Sequence, residues 1–161
     1  MSIRHRTEGF TLIELVVTVA IVALLASIAI PMAELVVQRN HEHELRLALR
    51  EIRTALDAYK QAVEEGRITQ KLDQSGYPES LDVLVDGVAD ASNPNAQKKL
   101  YFLRRIPRDP FFNDPTQSDA HTWGLRSYAS SHDEPQVGED VFDVYSLAPG
   151  TGLNGIPYRN W

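Results

Sequence analysis

Apolar positions follow two rhythms in the first part of the chain. From Phe10 to Ile30 they run almost unbroken, with Glu14 the one formal charge in 21 residues. As a helix at 1.5 Å per residue this run spans about 32 Å, close to the ~30 Å hydrocarbon core of a bilayer. Its β-branched residues do not oppose that reading. In lipid the backbone must satisfy its own hydrogen bonds, and a helix is how a single segment does so. The run therefore predicts a transmembrane helix. A buried core helix of this length would carry a polar face. A cleaved secretory signal fits the basic start and the small residues of Ser27-Ile28-Ala29, but its apolar region is usually shorter and lacks a carboxylate such as Glu14.

Beyond Pro31 the rhythm changes. Leu45, Leu49, Ile52, Leu56, Tyr59 and Val63 recur every three or four residues, which is one apolar stripe on an amphipathic helix. The stripe predicts that the helix runs to about Glu65 and stops at Gly66. Under three heptads long, it suits packing against a small domain better than a free coiled coil. Glu42/Arg46, Arg53/Asp57 and Lys60/Glu64 stand one turn apart and are expected to pair. Pro31 lacks an amide hydrogen and frees the carbonyl of Ser27, so a kink or local loosening is expected there.

The remainder reads as short elements. Tyr77-Pro78-Glu79-Ser80-Leu81 opens a short helix with Leu81, Leu84, Val85 and Val88 apolar and Gly87 near its end. Ala89–Gln97 is a polar loop. Leu100–Ile106, Trp123–Ala129 and Val141–Leu147 are β candidates separated by Pro-, Asp-, Asn- and Ser-rich stretches, as an antiparallel meander needs. The predicted fold class is α+β, a long N-terminal transmembrane helix packed on a small antiparallel β-sheet.

Charge and composition sharpen this. The 161 residues carry a formal net charge of −6, which argues against nucleic-acid binding, and no cysteine, which excludes disulfides, thiolate metal sites and thiol catalysis. The charge is uneven: residues 1–9 sum to +1, 10–30 to −1, 31–65 to −2 and 66–161 to −4. A nearly neutral helix is thus joined to a polar remainder.

Glu14 is the anomaly. A carboxylate at the centre of a membrane span costs about 2.5–3.5 kcal/mol, and less near an interface. No Lys or Arg lies between Phe10 and Gln38, so no side chain of the same segment neutralises it. Gly9-Phe10-Thr11-Leu12-Ile13-Glu14-Leu15, after the basic leader Met1–Gly9, resembles the prepilin signature of type IV pilins and pseudopilins. The resemblance implies cleavage after Gly9 by a prepilin peptidase/methyltransferase on the cytoplasmic side and methylation of the new N-terminal Phe10. It implies, too, that the Phe10 amine meets Glu14 of a neighbouring subunit in a filament. Charge asymmetry does not fix the orientation, since Arg4 and Arg6 are answered by Arg39, Arg46 and Arg50 beyond the span.

The resemblance extends further. Ala55-Leu56-Asp57-Ala58-Tyr59-Lys60, Gly76-Tyr77-Pro78, Ser80-Leu81, Ile106-Pro107-Arg108-Asp109-Pro110-Phe111 with Asn113, Asp143-Val144-Tyr145-Ser146 and Asn160-Trp161 look like the major G-type pseudopilins of type II secretion. This implies a leader over 1–9, a membrane segment over 10–30, a periplasmic helical continuation over 31–65 and a small α+β head over 66–161. It further implies a single-pass protein of the bacterial inner membrane with a cytoplasmic N-terminus and a periplasmic head. Its implied function is to polymerise into a pseudopilus that helps export folded proteins, with minor pseudopilins and an inner-membrane secretion platform as partners. Pro31 simply marks the exit from the membrane or, as the resemblance implies, serves filament flexibility. The alternatives are a type IV or minor pilin for adhesion, motility or DNA uptake, and a membrane-anchored periplasmic binding module that does not polymerise.

Two departures stand out. G-type pseudopilins usually hold calcium through acidic residues of the last loop, yet Leu147–Trp161 contains no Asp or Glu. Calcium wants several hard oxygen ligands, and Asp140 and Asp143 are the nearest carboxylates, so no metal site is expected. The segment Asp114–Glu139 is longer than the family suggests. Enzymatic chemistry is not expected either. Ser130-Ser131-His132-Asp133 lacks triad geometry in a polar loop, Gly150, Gly152 and Gly155 open no helix, and His41 and His43 point to different sides of a helix as a solvated pair. Trp123, Tyr128, Phe142, Tyr145 and Trp161 read as sheet and core aromatics.

Overall fold

A computed structural model describes residues 10–71, 73–92 and 98–161. Gly9 and the rest of the expected leader lie outside them. Helix α1 spans Leu12–Glu64, followed by α2 at Asp82–Asp86, strands β1 (Val88–Ala89), β2 (Lys99–Leu100), β3 (Trp123–Arg126) and β4 (Asp143–Ser146), and 3₁₀ turns at Asp119–Thr122 and Tyr158–Asn160. The chain divides into two compact units, one ending at Asn40 and the other covering His41–Trp161.

In the first unit α1 is long and apolar enough to cross a membrane, and none of its most apolar stretch is buried within the protein. That exposure excludes the core-helix alternative. Two hydroxyls of the segment are satisfied locally. Thr18 Oγ1 donates to the Leu15 carbonyl at 2.9 Å and Ser27 Oγ to that of Leu24 at 2.7 Å. Such internal bonds suit a helix that has only lipid beside it. The helical assignment continues through Pro31.

In the second unit the stripe of α1 does what its period predicts. Leu45, Leu49, Ile52 and Leu56 are buried together with Ala48 and Ala55, against Leu81, Leu84, Leu103, Ile106, Trp123, Val141, Val144 and Tyr158. Each large aliphatic side chain removed from water in this way contributes about 1.5–3 kcal/mol. The helix ends where expected. Gly66 adopts φ +72°, its N–H reaches the Val63 carbonyl and the Arg67 N–H reaches that of Ala62, each at 2.9 Å. These two bonds form a Schellman cap, which only a residue at ease in the left-handed region closes without strain.

The β-structure differs from the predicted meander. There are two separate two-stranded antiparallel sheets, β1 with β2 and β3 with β4. In the second, Trp123 faces Ser146 and Arg126 faces Asp143. Of the expected strand Leu100–Ile106 only Leu100 pairs, with Val88. The physical reason lies in its amides: Phe102 and Leu103 both donate to the Leu84 carbonyl at 3.0 Å, capping α2 instead of extending a ladder. Leu103 and Ile106 are still buried, but as loop residues. β1 occupies positions expected to close a helix and start a loop, and α2 begins at Asp82 rather than near Tyr77. Gly124 in β3 is required by its neighbour, since a Cβ there would lie 2.3 Å from the Tyr145 ring.

Candidate functional site

The chemistry-bearing residues fall into two groups, one at the start of α1 and one where α1 meets the chain's end. At the first, Phe10 precedes the helix and is 79 % exposed. Thr11 Oγ1 accepts the Glu14 N–H at 3.3 Å, and the Thr11 carbonyl accepts that of Leu15 at 3.2 Å. Thr11 therefore caps the helix, with Glu14 in its third position, the Thr-x-x-Glu spacing of a capping box. A negative charge there also faces the positive end of the helix dipole. The Thr11–Glu14 spacing that signals this cap is already present in the sequence. Among the described residues Glu14 has no ion-pair partner, so the cap accounts for its place in the helix and leaves its charge uncompensated by a cation.

The second group is built around three charged residues of α1. Glu42 is buried, 2 % exposed. Its Oε1 accepts the Leu153 N–H at 2.7 Å and the Tyr158 hydroxyl at 3.1 Å, while Arg46 stands 3.6 Å from Oε2. The Arg46 guanidinium also lies 4.2 Å over the Trp161 ring. Arg53 does not pair with Asp57 as its spacing suggested. Its Nε donates to Asp143 Oδ1 at 2.8 Å and its terminal nitrogen to the main-chain oxygens of Val144 and Trp161 at 3.1 and 2.7 Å. The expected Lys60–Glu64 pair forms at 3.4 Å.

His41 is not a solvated residue. It is half-buried with its ring edge-on to Phe111 at 5.5 Å, while His43 is exposed. Phe111 in turn stacks on Tyr158 at 4.4 Å between centroids. Among the expected core aromatics Trp123 is buried and donates its indole N–H to the Pro107 carbonyl at 2.8 Å. Tyr128 is instead 60 % exposed, stacked on Tyr77.

Asp109, in the Ile106–Phe111 stretch, is a structural centre that spacing alone did not reveal. It is 1 % exposed, accepts the Phe111 N–H at 2.8 Å and the Ser146 hydroxyl at 2.5 Å, and so ties that loop to β4. Asp90 plays a similar part after α1. The Ser92 hydroxyl, at 2.5 Å, and then the Arg67 guanidinium, at 3.2 Å, hold its carboxyl below the usual carboxylate range.

The donor set does not fit calcium. Asp140 is engaged by the Tyr128 N–H and Asp143 by Arg53 and Arg126, while Asn154 Oδ1 already accepts the Ile156 N–H at 3.0 Å. Among the described residues no group of three or more His, Asp or Glu could hold a metal ion. In the Ser130–Asp133 stretch Ser130 Oγ donates to the Ser127 carbonyl and Ser131 Oγ accepts the Asp133 N–H. Neither serine is hydrogen-bonded to His132.

The family described as "Prokaryotic N-terminal methylation motif" matches residues 4–30. The chain is 31 % identical over 168 residues to the type II secretion system core protein G of Pseudomonas aeruginosa, covering 98 % of this chain and 97 % of the relative. It is 31 % identical over 161 residues to the protein of the same name from Klebsiella pneumoniae, covering 97 % and 91 %. To that of Aeromonas hydrophila it is 28 % identical over 113 residues, 68 % and 71 % of the two chains. No solved structure is significantly similar to the chain.

Proposed function

Because the chain belongs to the family of the type II secretion system core protein G, we propose that it is cleaved after Gly9, methylated at Phe10 and polymerised through the N-terminal part of α1. It is a pseudopilin, a structural subunit of the type II secretion system and not an enzyme, and it assembles with other pseudopilins. That membership separates it from the adhesion and motility pilins it also resembled.

The observation that carries the proposal is the pairing of a charge without a cation and a fully exposed apolar helix. Cleavage after Gly9 leaves an ammonium on Phe10, four residues before Glu14. When a subunit docks, that ammonium meets the Glu14 carboxylate of its neighbour, and two charges costly in lipid neutralise one another. Assembly is favoured because the isolated subunit lacks that partner. In this reading the N-terminus is cytoplasmic, α1 crosses the inner membrane, and His41–Trp161 lies in the periplasm. Prepilin peptidase/methyltransferase, minor pseudopilins and the inner-membrane platform are its partners. Pro31 is the point at which α1 yields when subunits pack.

Intact-mass measurement of the protein from cells with and without prepilin peptidase tests this. The expected product begins at methylated Phe10 only where the peptidase is present. A chain still beginning at Met1 in both, or one beginning at Ile30, overturns it.

A further inference from the structure

The segment 147–161 has three glycines, at 150, 152 and 155, and no acidic residue. Local propensity does not fix such a segment, because glycine loses more conformational freedom on folding than any other residue. In the family the chain resembles, a cation is expected to gather this loop through its oxygen atoms. Here the polarity of the loop is the reverse. What it turns toward Glu42 are donors: the Leu153 N–H and the Tyr158 hydroxyl, both directed at Glu42 Oε1 at 2.7 and 3.1 Å. A divalent cation attracts lone pairs and repels N–H and O–H dipoles, so a loop that presents donors calls for an anion at its centre.

Cations in turn serve the oxygens at the chain's end. Arg53 donates to the Trp161 main-chain oxygen at 2.7 Å, and Arg46 neutralises Glu42 while covering the Trp161 ring. An inner hairpin-like turn completes the loop, with Thr151 bridged to Pro157 and the Gly152 N–H donating to the Ile156 carbonyl at 2.9 Å. We propose that Glu42 is the organising group of the C-terminal segment, an internal anion supplied by α1 in place of a bound cation, and that this pseudopilin closes its last loop without calcium. The inference concerns the head alone and is independent of how the N-terminal helix assembles.

Hydrogen exchange of the full chain in detergent micelles tests it, read at amides 150–158 with excess calcium chloride and with EDTA. In the native chain both conditions are expected to give the same exchange and the same Tm. In Glu42→Ala the Leu153 amide is expected to exchange about tenfold to a hundredfold faster, whether or not calcium is added. Glu42→Gln, whose amide oxygen still accepts one N–H, is expected to fall between the two. Opening of the segment by EDTA in the native chain overturns the proposal, and that arm needs no variant to fold. So does unchanged Leu153 exchange in Glu42→Ala, or its restoration by calcium.

Discussion

Arg53 and Asp143 stand 90 positions apart in sequence and 2.8 Å apart in space, joining α1 to β4. The same guanidinium holds the main-chain oxygens of Val144 and Trp161, while Arg126 takes the other oxygen of Asp143 at 3.0 Å. Arg53→Ala is expected to lower stability by about 1–2 kcal/mol. Bonds to charged groups are worth more than neutral ones, but exposure of the pair discounts them. Arg53→Lys should recover only part of the loss, because an ammonium on a flexible stem lacks the fixed fork of donors that reaches all three oxygens. Chemical denaturation of both variants in the same detergent checks the order. Equal stability of Lys and Arg at this position would show that charge alone matters.

At the start of α1 the cap and the charge can be separated. Thr11→Ala removes the acceptor for the Glu14 N–H and is expected to cost about 0.5–2 kcal/mol of local helix stability. Glu14→Gln keeps a capping-box side chain at the third position but removes the carboxylate. If the charge drives docking, sedimentable filaments persist in Thr11→Ala and are lost in Glu14→Gln and Glu14→Ala. Filaments that persist in Glu14→Gln but are lost in Thr11→Ala and Glu14→Ala would assign Glu14 to capping.

Asp90 gives the head a pH-dependent contact. Its carboxyl titrates below the usual range because Ser92 and Arg67 hold the ionised form. A group whose folded pKa is depressed stabilises the fold above its unfolded pKa and loses that contribution as pH falls through the folded value. Native protein and Asp90→Asn should therefore differ in Tm at neutral pH, and the difference should shrink only below about pH 4, the ordinary aspartate range. Thermal melts from pH 7 down to acid check this. A difference independent of pH would place the effect in the hydrogen bonds and not in the charge.

What the sequence disclosed was local. The unbroken run from Phe10, the stripe from Leu45 to Val63 and the stop at Gly66 are all periodic or adjacent signals, and each stands as read. Glu42 lies three residues before Leu45, in phase with the buried stripe, although its charge and spacing showed only the pair with Arg46. The strand expected at Leu100–Ile106 could not be judged from its own residues, because the Leu84 carbonyl that takes its amides belongs to α2. Arg53 illustrates the same limit, since Asp57 was the partner visible at one helical turn and Asp143 the one brought near by folding. Asp109 bonds the Phe111 N–H two residues on, but the Ser146 hydroxyl that ties it to β4 lies 37 positions away, where no local pattern reaches.

The diversion of Phe102 and Leu103 to the Leu84 carbonyl also bears on what the head does not do. Strands with unpaired edges are templates for sideways association with other chains. In the described residues β1 and β2 are two residues long and β3 and β4 four. The head thus offers little ladder for another chain to join, which suits the proposed assembly through the helix.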